Sequence, residues 1–412
     1  MVAFQNPIWR KIGFTIGVVL LVLLGFAQLL KKDLFRLHFV LTLFQPSAIV
    51  ENFRSMTRVW DYTTVRRSGP TYRLPYNNKP LPESYVYMGS AHDLTGWIAA
   101  TATSGLIVVH DGAIAFERYY RGNDARTHWV AWSASHPVIT ALAGCALEEG
   151  LLRSTTDLVN DYVPLLNISG YAGVTLQDAL QMSSGIVFDE NYARLASDIN
   201  RVWRSIAWGT VMDDIVVATR RIRPPGKAHG MVSMDAQVLA MVLREATGRS
   251  LSTYMEEKLW SRLGVEADAF WLVDDSGMEM AFGGLNASLR DYARFGLLFL
   301  NAGRNFRGQQ ILPAHWVRAS VAPDHPHPKP RSANTTSRPS QRYGYQWWLP
   351  DPPEGDYYAM GIGGQFIYIH PRHRVVIVKT SADADDLQIG TEMASESLAV
   401  FRAIAAHLAG EP

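Results

Sequence analysis

Two pairs of apolar runs, one early in the chain and one late, have the pattern of β-hairpins. Residues 104–122, SGLIVVHDGAIAFERYYRG, place an apolar run on each side of Asp111-Gly112. An Asp-Gly pair between two such runs is a strong signal for a tight hairpin turn. Residues 363–381, GGQFIYIHPRHRVVIVKTS, repeat the arrangement around a Pro-Arg-His turn. The pattern predicts two strand pairs near the two ends of a folded domain.

The stretch between the hairpins has the spacing of helices instead. Apolar residues recur every three or four positions in 155–166, 175–184 and 234–248, and the last segment, 392–409, is amphipathic. Breaks rich in Gly or Ser close these segments. The order of elements predicts an α+β domain. Its antiparallel sheet is built from both ends of the domain and flanked by helices, with a mostly helical subdomain between them.

An uncharged segment of 19 residues, Ile12–Leu30, precedes this domain. A helix over it spans roughly 28 Å, close to the hydrocarbon thickness of a bilayer. We expect an uncleaved transmembrane anchor; the alternative is a cleaved signal peptide with Gly25-Phe26-Ala27 at the cleavage site. Basic residues flank both ends of the segment, so they do not set its orientation. The expected location is the inner membrane, with a single-pass anchor and a periplasmic domain.

These patterns divide the chain into four parts. They are an N-terminal tail (1–11), the anchor (12–30), a juxtamembrane arm (31–95) and the folded domain (96–412). The arm includes SGPTYRLPYNNKPLPESY, residues 68–85, which is rich in Pro, Asn and Gly. That composition favours extended turns over packed elements.

Composition narrows the class of protein. The 412 residues are 48% hydrophobic and 19% charged, which is typical of a globular protein. A formal net charge of +1 without a long basic run argues against nucleic acid as a partner. The single cysteine, Cys145, permits no intrachain disulfide and is expected to fill core space. His325 and His327 lie in a stretch rich in Pro and Ser without a carboxylate cluster, which favours a solvated loop over a metal site.

Several long segments resemble, in the same order, the serine β-lactamase and penicillin-binding-protein superfamily. The resemblance covers roughly residues 96–405 and is strongest to class C-like esterases and 6-aminohexanoate-dimer hydrolases. It rests on the early hairpin and on residues 151–192, 236–265 and 283–303. It implies a β-lactamase-like fold and hydrolysis through an acyl-enzyme, with no metal or organic cofactor.

Three short motifs carry catalysis in this superfamily, and each is altered here. Ser-x-x-Lys falls on residues 133–136, SASH, so Ser133 matches the nucleophile and His136 stands in the lysine position. Tyr-x-Asn or Tyr-x-Ser falls on MVS, with Met231 in the tyrosine position and Ser233 in the third. Lys/His-Thr-Gly falls on GIGG, with Gly361 in the place of the cationic residue.

The altered first motif leaves two interpretations open. Residues i and i+3 share a helix face, so the His136 imidazole can lie beside the Ser133 hydroxyl and act as its base. An ordinary histidine pKa of ~6.5 leaves the ring largely neutral at pH 7. The other interpretation is a His136 that only bonds a neighbouring carbonyl at a helix N-terminus, which Pro137 supports. Met231 lacks a useful donor or acceptor, so half of the usual proton relay is lost.

The resemblance also implies an oxyanion hole. The backbone N–H groups of Ser133 and Gly364 would form it, and backbone donors survive side-chain changes. We expect Ile362, Gly363 and Gln365 to line the substrate cleft together with Met231, Ser233 and Gly361.

The loss of a cation at Gly361 favours an uncharged ester or amide as substrate over a β-lactam, whose carboxylate that cation helps to hold. Asp189 and Glu190 are candidates for polar contacts at the cleft rim. The sequence therefore predicts a membrane-anchored serine hydrolase with an altered site. The alternative is a catalytically inactive pseudoenzyme that binds a ligand or partner protein in the same cleft.

Overall fold

The computed structural model describes residues 11, 15–16, 30–322, 342–387 and 392–411. The strands of this part of the chain, in order, are β1 Tyr62–Val65, β2 Ser84–Tyr87, β3 Ser90–Asp93, β4 Thr103–His110, β5 Ala113–Tyr119, β6 His128–Val130, β7 Ala269–Leu272, β8 Leu285–Ser288, β9 Arg342–Tyr343, β10 Trp348–Leu349, β11 Tyr357–Gly361, β12 Gln365–His370 and β13 Val375–Ser381. They form an antiparallel seven-stranded sheet in the order β5-β4-β13-β12-β11-β10-β9, a four-stranded sheet in the order β1-β7-β8-β6, and the hairpin β2-β3.

The helices are numbered in the same way. They are α1 Lys31–Thr42, α2 Ile49–Arg54, α3 Met56–Val59, α4 Leu94–Ala100, α5 His136–Glu148, α6 Val159–Tyr162, α7 Leu176–Leu180, α8 Asp198–Ala207, α9 Met212–Val217, α10 Ser233–Thr247, α11 Leu251–Met255, α12 Leu289–Leu300, α13 Ala314–Val321 and α14 Glu392–Ala409. Trp132–Ser135 and Pro164–Ile168 are 3₁₀ helices, and Glu256–Trp260 is a π-helical turn.

The early hairpin forms where the Asp-Gly pair predicted it. Asp111 and Gly112 have φ angles of 49° and 78°, and a two-residue type I′ turn requires positive φ at both positions. Strand β4 then pairs with β5 on one side and with β13 on the other. The prediction that both ends of the domain complete one sheet in an α+β fold is thereby confirmed.

Helices cover both faces of the large sheet. Successive side chains of a strand point to opposite faces, so Val376 and Lys379 of β13 lie on different sides. On the Val376 side, Gly296 of α12 packs so closely that an added methyl group would lie 2.6 Å from Val376 Cγ1. On the Lys379 side, Trp97 of α4 and Phe401 of α14 pack edge to face with ring centroids 5.9 Å apart.

The segment expected to be an extended arm, residues 31–95, contains packed helices and strands. Phe39 of α1 and Phe53 of α2 are buried in the main core. Arg36 is only 1% exposed, and its guanidinium donates hydrogen bonds to Asp275 Oδ1 at 2.7 Å and Asp61 Oδ2 at 3.0 Å. The helices lie in residues 31–59, whereas residues 68–83, whose composition predicted extended turns, contain neither helix nor strand.

The transmembrane helix predicted for residues 12–30 is corrected by the structure. Within the described residues, no helix combines the length and the apolar character needed to cross a membrane. Crossing takes about 20 apolar residues, whereas α1, which follows directly, has 12 residues and carries charged side chains. The expected inner-membrane location with a periplasmic domain is withdrawn with it. Of residues 12–30, only 15, 16 and 30 are described; the loop with His325 and His327 also lies outside the described residues.

Candidate active site

Ser133 lies at the junction between the small sheet and the helix α5. Strand β6 ends at Val130, and the 3₁₀ helix Trp132–Ser135 leads directly into α5. Trp132 has a φ of 51°, a left-handed conformation that is strained for a bulky residue and is often found at functional sites. The Ser133 side chain is buried, with 5% of the residue exposed.

The end of strand β11 approaches the backbone of this turn closely. A methyl group on Gly361 would lie 2.4 Å from the Ala131 carbonyl oxygen and 2.9 Å from Trp132 Cβ. Any side chain at this position would therefore collide with the backbone that carries Ser133. In this packing, position 361 accepts only glycine without a shift of the surrounding backbone.

The loop after Gly361 fixes the direction of one backbone amide. Gly363 and Gly364 have φ angles of 69° and 83°. The Gly363 N–H donates to Asp386 O at 2.8 Å, and the Asp383 N–H donates to Gly363 O at 3.2 Å. The C=O and N–H of a trans peptide point in opposite directions, so the Gly364 N–H points away from Asp383. Among the described residues, none accepts a hydrogen bond from it.

The backbone N–H of Ser133 is the other candidate oxyanion donor. The first N–H groups of a helix have no partner within it, and the Ser133 N–H donates to no other described residue. Among the described residues, the backbone N–H groups of Ser133 and Gly364 are therefore both without a hydrogen-bond acceptor.

His136 is held by a distant carbonyl rather than by the serine. Its Nε2 lies 2.9 Å from Phe282 O; a carbonyl only accepts, so Nε2 carries the hydrogen and Nδ1 has a free lone pair. Nδ1 is buried without a hydrogen-bond partner. Burial lowers the pKa of His136 to about 4, so the ring is neutral throughout the physiological range. No hydrogen bond between Ser133 and His136 is present among the described residues.

The second-motif residues face the protein interior. Met231 is 6% exposed and belongs to the hydrophobic core. Ser233 donates from its backbone N–H and from its hydroxyl to the two carboxylate oxygens of Glu190, the latter at 2.9 Å. Glu190, expected at the cleft rim, is buried, and burial raises its pKa to about 8 although both hydrogen bonds favour the charged form. Its neighbour Asp189 pairs with Arg194.

A second buried carboxyl group stands beside Glu190. Asp235 Oδ1 accepts hydrogen bonds from Tyr171 Oη at 2.7 Å and Ser184 Oγ at 2.6 Å, while Oδ2 has no partner. Burial raises the pKa of Asp235 to about 7. The cluster at the second motif is therefore built from two carboxyl groups that the fold favours in the protonated form.

Gln365 braces the third-motif loop with its whole side chain. Its Oε1 accepts from Trp129 Nε1 at 2.9 Å and from the Ser381 N–H at 3.0 Å. Its Nε2 donates to Ile362 O at 3.0 Å and to Ser381 O at 2.7 Å. Since every hydrogen-bonding position of the amide is used, Gln365 fixes the loop rather than contacting a ligand. Ile362 is buried beside it.

Aromatic side chains from the N-terminal segment cover the site. Phe53 of α2 packs on Trp132 with ring centroids 5.2 Å apart, and a methyl group on Gly363 would lie 2.9 Å from its ring. Phe44 packs on Trp132 at 5.7 Å and on Tyr192 at 5.5 Å. A cavity of about 470 Å³ lies elsewhere, beside α8 and α9, and Ser133 does not line it. The rings of Phe44 and Phe53 pack on the residue that precedes Ser133, and Ser133 itself is buried in the described conformation.

Sequence patterns did not reveal three of these features. One is the contact of Lys379, whose Nζ donates to Gly364 O at 3.2 Å. Lys379 is the lone charged residue of the apolar run VVIVKTS, and that charge was the available signal for a buried polar contact. Asp235 lies in a segment with helical spacing, and that pattern does not predict that its carboxyl group is buried with a raised pKa. Phe44 and Phe53 come from a segment far from the motifs, so only tertiary contact brings them onto Trp132, next to Ser133.

The fold and the arrangement of these residues define a β-lactamase-like protein. The family model described as "Beta-lactamase" matches residues 95–397, and the chain belongs to that family. This confirms the resemblance drawn from the sequence.

Individual relatives are hydrolases. The chain is 28% identical over 303 residues to the 6-aminohexanoate-dimer hydrolase of Paenarthrobacter ureafaciens, covering 71% of this chain and 76% of that protein. A solved structure from Bacillus anthracis, described as a 6-aminohexanoate-dimer hydrolase, has a TM-score of 0.77 at 23% identity, covering 90% and 97% of the two chains. EstCE1, a hydrolase with promiscuous acyltransferase activity, has a TM-score of 0.59 at 14% identity, covering 76% and 96%. At these identities, the two structural likenesses show the fold.

Proposed function

We propose that the protein is a serine hydrolase of uncharged esters or amides that acts through an acyl-enzyme on Ser133. The observation that carries the proposal is the pair of partner-free backbone N–H groups at Ser133 and Gly364. Preorganised backbone donors of this kind stabilise the oxyanion that develops during acyl transfer.

The proposed reaction uses His136 as the base. The Ser133 oxygen attacks the substrate carbonyl carbon while its proton passes to Nδ1, the unprotonated nitrogen of His136. The two amides hold the oxyanion until the bond to the leaving alcohol or amine breaks and that group takes the proton. Water then attacks the acyl group on Ser133 and gives a proton to Nδ1. The bond between the acyl group and the Ser133 oxygen breaks, the carboxylic acid leaves, and the proton returns to the Ser133 oxygen.

Three observations predict slow turnover. The pKa of about 4 makes His136 a weak base at pH 7, and the Ser133 hydroxyl must form a hydrogen bond with Nδ1 that the described conformation lacks. The cover of Phe44 and Phe53 must also move before a substrate reaches the serine.

The substrate class follows from the third motif and its surroundings. Gly361 leaves no side chain to hold a substrate carboxylate, and a side chain there would collide with Ala131 O. Met231 adds an apolar residue in the position of the usual tyrosine. We therefore expect short acyl esters and uncharged amides to react, and penicillins to be turned over poorly or not at all.

A pseudoenzyme is the second candidate. The observations that favour it are the engagement of His136 with Phe282 and the aromatic cover above Ser133. In this case the cleft would bind a ligand or partner protein without acylation.

A fluorophosphonate probe separates the two candidates. The hydrolase proposal expects labelling at Ser133 that Ser133→Ala abolishes and that His136→Ala slows by on the order of 10²–10⁴. Labelling of the wild type should stay constant from pH 8 to about pH 5 and fall only near pH 4, because the fold keeps His136 neutral.

Two further variants restore the family residues. His136→Lys together with Met231→Tyr should gain more than the sum of the single changes if the two side chains act as one relay. A wild type that resists the probe, while this double variant reacts, would establish the pseudoenzyme. Equal labelling of wild type and His136→Ala would exclude His136 as the base.

A further inference from the structure

Lys379 is a buried amine in the middle of the large sheet. It lies on β13, has no exposed surface, and its Nζ is 3.2 Å from the carbonyl oxygen of Gly364. Its other close neighbours are aromatic: Nζ lies 5.3 Å from the ring centre of Trp97 and 6.0 Å from that of Phe366. The Lys379 amine therefore donates a hydrogen bond to the Gly364 carbonyl.

The position is unfavourable for a lysine. Burial lowers the pKa of Lys379 to about 7, although the negative charges of Asp386 and Asp383 act in the opposite direction. Placing an amine there therefore reduces the stability of the fold. The role of Lys379 therefore lies in the backbone group that its hydrogen bond holds in place, the Gly364 carbonyl.

That hydrogen bond completes the anchoring of the Gly364 backbone. The peptide before Gly364 is held through Gly363 O by the Asp383 N–H, and the peptide after it is held through Gly364 O by Lys379. The Gly364 N–H lies in the first of these two peptides. Glycines at positive φ have wide conformational freedom, so holding the second peptide restricts the rotations about Gly364 that would let the first one tilt. A methyl group on Gly364 would lie 3.0 Å from Lys379 Nζ, which shows how closely the two groups are packed.

We propose that Lys379 is a positioning residue of the oxyanion hole: its amine holds the Gly364 carbonyl and thereby keeps the Gly364 N–H directed at the carbonyl group attacked by Ser133. The inference rests on the proposed function for its catalytic consequence. Its structural part, the fixing of the 361–365 loop by a buried amine, stands without it.

The test variant is Lys379→Met, which keeps the length and apolar body of the side chain and removes only the donor. The variant should fold. Its unfolding temperature should be equal to or higher than that of the wild type, because the buried amine is gone. Loss of a direct oxyanion donor reduces the rate by 10²–10³, so loss of its support should slow fluorophosphonate labelling by about tenfold. The loss should appear in the maximal rate of labelling and not in the probe concentration at half-maximal rate.

Hydrogen exchange supplies a readout that needs no catalysis. Amides of Gly363 and Gln365 should exchange about tenfold faster in Lys379→Met, because local opening of the loop becomes easier. The matched control is Lys258→Met, which removes a lysine that pairs with Glu149 at the far end of α5 and should change neither measurement.

The outcomes are distinguishable. Faster loop exchange in Lys379→Met, with a wild type that resists the probe, would support the positioning role and overturn the proposed hydrolase. Unchanged exchange would overturn the positioning role, whether or not labelling falls. Unchanged labelling in a reactive enzyme would equally show that Lys379 does not support the oxyanion hole.

Discussion

Glu190→Gln should change how the stability of the protein depends on pH. The Glu190 carboxyl group is buried, and its two oxygens accept hydrogen bonds from the backbone N–H and hydroxyl of Ser233. A glutamine fits the same arrangement, since its Oε1 can accept from the backbone N–H and its Nε2 can donate to the Ser233 hydroxyl. The substitution therefore removes the ionisation and keeps the shape.

The size of this change in stability follows from the raised pKa of Glu190. Burial raises the pKa of Glu190 from 4.5 to about 8, with further contributions from the charges of Asp235 and Asp198. Between these two values the folded protein holds a proton that the unfolded chain has released, so stability falls as pH rises. Each pH unit is worth 1.36 kcal/mol, which gives a loss from this group of about 3 kcal/mol between pH 4.5 and pH 7. Above pH 8 the loss of stability from this group is complete and amounts to about 5 kcal/mol.

Urea unfolding at pH 5, 6, 7, 8 and 9 measures the effect. Glu190→Gln should lose less stability than the wild type across this range and be the more stable protein at pH 8. The stability of Glu190→Gln should still depend on pH in part, because burial also raises the pKa of Asp235, to about 7. Glu245→Gln, on the exposed side of α10, serves as the matched control and should follow the wild type. Parallel curves for wild type and Glu190→Gln would refute the argument that the fold holds Glu190 protonated.

Two further predictions concern the packing around the serine. Gly361→Ala should lower the free energy of unfolding by about 1–3 kcal/mol in urea denaturation, because its methyl group meets the Ala131 carbonyl oxygen at 2.4 Å. Gly230→Ala, whose methyl would meet only the end of a flexible side chain, should cost much less, and equal losses would contradict the close approach. Phe53→Ala should destabilise by about 3–5 kcal/mol and speed fluorophosphonate labelling, whereas Leu41→Ala at an exposed position should do neither. Labelling that is no faster would show that Phe53 does not cover the serine.

The sequence by itself determined the strands near the two ends of the domain and the turn that joins the first pair. The early hairpin depends on Asp111-Gly112, which can adopt positive φ at both turn positions. The strands near the two ends of the domain follow from continuous apolar runs, because a strand covered by helices on both faces buries both sets of side chains. These signals are local, so a short stretch of sequence is enough to specify them.

The N-terminal segment shows where local signals mislead. A run of 19 uncharged residues predicts a membrane span, but within the described residues no helix meets the requirements for one. The following residues were expected to form a juxtamembrane arm. Their helices α1 and α2 contribute to the main core, with Arg36 paired to Asp275, more than 200 residues further along the chain. The composition of a short segment does not show whether another part of the chain offers a surface on which its apolar side chains can pack.

Tertiary structure alone decided the state of the chemical groups. His136 begins α5 three residues after Ser133, which lies in the preceding 3₁₀ helix, yet its ring bonds Phe282 O and its pKa falls to about 4. Lys379 and Glu190 have pKa values far from those of the free side chains for the same reason, which is removal from water by residues distant in sequence. Desolvation and the direction of a hydrogen bond are properties of the packed assembly, so they become defined only when segments from the whole chain meet.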